Sequence, residues 1–176
     1  MLSAQLRRKL CNALIQCHLD YCCTAWYTSL LVKDKCKLQV IQNKMVRFVL
    51  NLPSRSHIGQ TELNAIDFLC VKDRVSQLRL NHVFKIANGQ SPKYLNGHFT
   101  PTNVKHHIGT RSSSMNYYVP RVNGSTRASF YYNAILDWNL IPTSIKRSGS
   151  LQLFKAKVKK MLVLRSSERE SCDFVY

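Results

Sequence analysis

Leu38-Gln39-Val40-Ile41-Gln42-Asn43-Lys44-Met45-Val46-Arg47-Phe48-Val49-Leu50-Asn51-Leu52-Pro53 is the stretch that decides the fold class. Leu38, Ile41, Met45, Phe48 and Leu52 recur at intervals of 3, 4, 3 and 4, which lines them up on one face of an α-helix, and Pro53 cannot continue the pattern. We expect this stripe to be the apolar face of the helix. Lys33, Lys35, Lys37, Lys44 and Arg47 lie mainly off the stripe and read as a solvated or phosphate-facing side.

Outward from this helix the same period returns. Before it, Leu6, Leu10, Leu14 and Ile15 mark an amphipathic helix over residues 3 to 19 with Ser3 as N-cap. After it, a helix is expected from Asp73 to Ala87 with Val75, Leu80, Val83, Phe84 and Ala87 inward, stopped by Asn88-Gly89. Ser91-Pro92 opens a short turn over Lys93 to Leu95. The polar run from Gly97 to Ser114 reads as a long loop. Met115 to Val122 is rich in strand formers, but Pro120 limits it to an edge. Further helices are expected over Arg127 to Asn139 and from the Ser150 cap to Leu164, the latter with Leu151, Phe154, Val158, Met161 and Leu162 on one side. The expected fold class is mainly α: a small helical domain of about five helices with a long loop and at most one short β-hairpin. We divide it into an N-terminal helical pair (1–52), a basic helical region (53–164, with the loop at 97–125) and a flexible tail (165–176).

The chain has 176 residues, 45% of them hydrophobic and 10% aromatic, enough to bury a core without disulfides or metals. Its 26 Lys and Arg face 9 Asp and Glu, a net charge of +17. Such an excess repels itself in a compact fold unless a polyanion offsets it, and nucleic acid is the expected polyanion. Seven cysteines at irregular spacing do not form the pattern of a secreted disulfide framework and read as reduced thiols of an intracellular, nuclear or cytoplasmic protein. Asn12, Gln16, His18 and Asp20 interrupt the apolar stretch after Arg7-Arg8-Lys9, so no signal peptide is read, and no apolar run is long enough to span a membrane.

Enzyme signatures are missing from the sequence. It contains no phosphate-cradling glycine loop, no strand-end aspartate pair for a two-metal polymerase site and no Gly-x-Ser-x-Gly turn. Asp20, Asp67, Asp73 and Asp137 read as helix-end or ion-pair partners of the basic excess. Cys17-His18, Cys22-Cys23 and Cys36 raise the question of zinc, because His18 and Cys22 lie one helical turn apart. Their spacing matches no zinc module, and neither a metal nor a cofactor is expected.

The functional signal is distributional. Between Lys105 and Arg165 there are 11 Lys and Arg and one acid, Asp137. The candidate nucleic-acid contacts are Arg111, Arg121, Arg127, Lys146, Arg147, Lys155, Lys159 and Lys160. Tyr117, Tyr118, Phe130, Tyr131, Tyr132 and Trp138 are interleaved with them, either as core or as rings able to stack on bases.

An ordered series of short motifs covers residues 10 to 162. It runs His18-Leu19-Asp20-Tyr21-Cys22 with Trp26, then Leu38-Gln39-x-x-Gln42-Asn43-Lys44-x-x-Arg47, Asn88-Gly89-x-x-Pro92-x-Tyr94-Leu95 and Phe99-Thr100-Pro101. Arg111-Ser112, Val119-Pro120-Arg121, Phe130-x-Tyr132, Trp138-Asn139-x-x-Pro142 and Phe154-Lys155 complete it. The series resembles the region that follows the polymerase core in LINE-type, jockey-like non-LTR retrotransposon reverse transcriptases. Two positions depart from the family: Asp137, where an apolar residue usually precedes the tryptophan, and Ile141, in place of a leucine.

The resemblance implies a fragment of an RNA-directed DNA polymerase that lacks the catalytic aspartates, since these lie upstream in the family, and no family catalytic residue falls on this sequence. It further implies a role in holding template RNA or target DNA beside the polymerase. Two other readings stay open at this point. The chain is a helical module whose apolar faces, Leu38 to Leu52 and Leu151 to Leu162, dock on the polymerase core, leaving the Leu38, Ile41, Met45 and Phe48 stripe bare here, or it is a decayed reading frame without selected function.

Overall fold

The computed structural model describes the backbone of residues 2–105 and 115–173 and the side chains of 2–104 and 115–168. The described residues are mainly helical, as expected. In chain order the helices are α1 (Ala4–Cys11), continued by a π-helical segment (Asn12–Gln16) into α2 (Cys17–Asp20), α3 (Cys23–Trp26), α4 (Val32–Leu50), α5 (Gln60–Ala65), α6 (Val71–Ala87), α7 (Thr102–Lys105), α8 (Phe130–Asn139), α9 (Thr143–Lys146) and α10 (Leu151–Asp173). Short 3-10 turns intervene, and an isolated antiparallel bridge between Pro101 and Tyr117 stands where a hairpin was the upper limit.

The chain forms two compact units, one of residues 1–23, 30–75 and 160–176, the other of 24–29 and 76–159. Residues 53–75 thus group with the first helices, and a division by chain order at residue 52 does not describe the packing. The tail also differs from expectation, because α10 continues to Asp173. The reason lies at Ser166, which is buried and donates to the Asp73 carboxylate at 2.5 Å.

In the first unit α1 packs along α4. Ser3 caps α1, accepting from the Leu6 amide as expected. The core joins Cys11, Met45, Val46, Val49, Leu63 and Phe68, with Ile58 and Ile66 beside them. On α4 the buried side chains are Gln42, Met45, Val46 and Val49; of the stripe expected to be bare, Ile41 and Phe48 are exposed, Leu38 is half-buried and Met45 is buried. Gln42 is buried because its amide is needed there: it donates to the Leu69 carbonyl at 2.9 Å, while Gln39 accepts from the Val71 amide at 3.0 Å. Asn51 ends α4 in the left-handed region (φ 57°), and the Leu52 amide closes the last turn on the Arg47 carbonyl. No apolar period or side-chain capping residue in the sequence announces α5. Its N-cap, Gly59, offers only a backbone N–H, which Glu62 accepts at 2.8 Å, and these backbone hydrogen bonds hold the Glu62 carboxyl below its ordinary value.

In the second unit the inward residues of α6 are Leu80, Val83 and Phe84, and Gly89 (φ 67°) makes the stop. Phe84 stacks on Phe154 of α10 at 4.3 Å, and Trp138 of α8 lies 6.0 Å from the same ring. The expected caps are in place: Ser150 accepts from Leu153, and Ser129, just after the expected start of the helix, accepts from Tyr132. Trp138-Asn139 acts as a clasp on the extended segment. Trp138 donates its indole N–H to the Met115 carbonyl at 2.8 Å, and the Asn139 amide accepts from the Tyr117 N–H and donates to the Tyr117 carbonyl.

Candidate nucleic-acid interface

Acidic residues set the background for the basic ones. Asp20 takes a forked contact from Arg74 with a closest approach of 2.7 Å, Asp67 pairs with Arg8 at 3.4 Å, and Asp137 pairs with Arg79 at 2.8 Å. Arg79 has a side-chain exposure of 7%, which makes this last pair an internal one. Asp73, in the first turn of α6, is buried and also accepts from the Cys70 thiol. The acid before Trp138 is thus the counter-ion of a buried guanidinium. It is also the sole acid of the stretch 105–165, so its charge is spent inside the fold and not on the surface lysines.

The expected contacts separate into distinct environments. Arg121, Arg127 and Arg147 are exposed. Arg127 sits on the 3-10 turn Gly124–Ala128, donates from Nε to the Val122 carbonyl, and has its own carbonyl held by Asn133 at 2.7 Å, so the turn is fixed to the start of α8. On α10, Phe154, Val158 and Leu162 are buried at intervals of four residues. Lys155 and Lys159 flank that buried row, half-buried and one turn apart, whereas Lys160 points to solvent. Half-buried lysines of this kind lay their stems on apolar surface and keep the ammonium wet.

Lys146 is a correction. It was expected at the surface with Arg147, but it is buried, donates to Asn116 Oδ1 at 2.6 Å and sits 5.6 Å from the Trp138 ring centre. Burial pushes its ammonium below the ordinary lysine value. Its charge therefore serves the Trp138 pocket, and it leaves the set of phosphate contacts. Arg111 lies outside the described residues.

The interleaved aromatic residues are mostly engaged with each other. Tyr117 lies edge-on to Phe99 at 5.2 Å, and Tyr131 stacks on His98 at 4.0 Å. Burial raises the Tyr117 phenol above its usual value. A ring the charge pattern did not single out, Tyr94, is 77% exposed beside the exposed Lys93. Only its place on a turn after Pro92 hinted at this. Among the described residues no group of three His, Cys, Asp or Glu is placed to hold a metal, their cysteines remain thiols, and no helix is long and apolar enough to cross a membrane. Comparison with family models, with curated proteins and with solved structures returned no match.

Proposed function

We propose that this chain binds RNA or DNA without strong sequence preference, through Arg121, Arg127, Arg147, Lys155, Lys159 and Lys160, with Arg111 as a further contact. The observation that carries the reading is the fate of Asp137: the one acid of the stretch 105–165 is consumed by the buried Arg79. The exposed Arg121, Arg127, Arg147 and Lys160 present a cationic surface that a phosphate backbone can neutralise, with Lys155 and Lys159 beside Lys160 on α10. Arginines and lysines spread over turns and one helix face suit phosphate contacts, with Tyr94 available to stack on an unpaired base.

The motif series supports reading the chain as a catalytically empty region beyond the polymerase core of a jockey-like non-LTR reverse transcriptase, acting in the nucleus or cytoplasm. An intact polymerase-core frame joined upstream would mark this chain as a piece of a longer element-encoded protein, and its absence would favour a decayed reading frame. Binding is tested by fluorescence anisotropy with unrelated single-stranded RNA and duplex DNA. Both should bind with similar affinity in low salt, and failure of both to bind would overturn the proposal.

A further inference from the structure

Part of the α4 stripe lies outside the core, as expected for a face that docks elsewhere, while Met45 lies within it. Ile41 and Phe48 are 40% and 48% exposed, and on the facing α1 and its π-helical continuation Leu14 is 66% exposed, with Leu10 and Ile15 also open to solvent. These side chains wall a groove of about 420 Å³ whose floor is Met45. Arg7, bonded to Asn51 at 3.1 Å, holds the start of α1 beside the end of α4, so the two helices run antiparallel along it. Large apolar side chains that remain exposed in a row mark an interaction surface more often than chance placement does.

Shape and charge together select the occupant. The helices of residues 4–20 and 32–50 carry eight Lys and Arg and only two acids, Asp20 and Asp34. Both acids are engaged, with Arg74 and Lys37 respectively. Lys44 stands on the groove itself. A second copy of the chain would bring the same cationic rim against this one. A lipid surface would meet the charge, but a flat bilayer does not fill a channel between two helices.

We propose that the groove receives one amphipathic α-helix from another protein, with apolar side chains at i, i+3, i+4 and i+7 and Asp or Glu on its flanks. Such a helix completes a three-helix packing in which Leu14 and Phe48 become buried and Lys44 faces a carboxylate. The inference does not depend on nucleic-acid binding, because none of its groove residues belongs to the proposed phosphate contacts.

The probe is a designed fluorescent peptide of about 18 residues, roughly 27 Å when helical, with leucine on one face and glutamate beside it, titrated with the full chain at about 0.15 M salt. A scrambled peptide of identical composition controls for charge alone. Saturable one-to-one binding of the amphipathic peptide is expected, with weaker binding of the scrambled one. Phe48→Glu and Leu14→Glu should each weaken it by about tenfold or more, the loss expected for one buried apolar side chain. Lys44→Glu should also weaken it while leaving both apolar walls intact, which keeps the test valid if Phe48→Glu fails to fold. Equal binding of the scrambled peptide, or affinity unmoved in Leu14→Glu and Lys44→Glu, would overturn the proposal. So would dimerisation of the chain, or binding to phosphatidylserine vesicles, that is lost in Leu14→Glu while peptide binding persists.

Discussion

At the residue scale, identical charges do different work according to their surroundings. Asp137 holds a buried guanidinium, so Asp137→Asn leaves Arg79 uncompensated and should cost about 3 kcal/mol in denaturant unfolding. Replacing both partners, Arg79→Met with Asp137→Leu, should cost less than Asp137→Leu alone, because the unpaired buried charge is then removed. A double variant less stable than that single variant would mean the pair is not the reason for the acid before Trp138.

Lys146 gives a pH dependence of known sign. Burial depresses its folded-state value below 10.5, so in the window between that value and 10.5 the unfolded chain holds the proton more tightly and stability rises with pH. Lys146→Met keeps the stem over Trp138 and removes the titration. The unfolding free energy of the wild type minus that of Lys146→Met should therefore grow as pH is raised from about 8 toward 10.5. A difference that shrinks over this range would contradict the burial of the ammonium.

At the scale of elements, α4 and α10 show what sequence periodicity can and cannot locate. The existence of both helices, the Pro53 stop and the Ser150 cap follow from spacing and cap chemistry alone. The inward face of α4 does not, because a buried glutamine counts as polar in any hydrophobic pattern. Only the partner carbonyl of Leu69, which is distant in sequence, explains why Gln42 is inside. Gln42→Leu strands that carbonyl and should destabilise the fold by about 1–3 kcal/mol, a loss measurable by thermal unfolding. No loss would mean that the glutamine is a passive filler. The helix α5 escaped notice for a similar reason: its cap is a glycine amide and a glutamate three residues on, with no side-chain capping residue to announce it. Continuation of α10 past Leu164 rests on Ser166 meeting Asp73, a pairing across 93 positions that no local signal contains.

At the scale of the whole molecule, net charge and the cationic stretch 105–165 were legible from composition, whereas the membership of the candidate site was not. Lys146 and Arg147 are neighbours in sequence with opposite fates, and an aromatic pocket decides between them. The absence of paired acidic residues from the sequence leads to one prediction. Purified chain should extend no primer in magnesium or manganese, and template-dependent synthesis abolished by a point change in this chain would refute the non-catalytic reading.

The central claim is that the chain binds nucleic acid by releasing counterions from phosphates. If about five phosphates are engaged, the logarithm of affinity should fall with the logarithm of salt concentration at a slope of about −4 to −5 for duplex DNA, and somewhat less for a single strand. The most direct measurement is that slope for the wild type and for Lys155→Gln/Lys159→Gln/Lys160→Gln, with far-ultraviolet circular dichroism confirming that the variant folds. The account predicts that the triple change flattens the slope by about two to three units. A wild-type slope near zero, or a folded variant whose slope is unchanged, would contradict it.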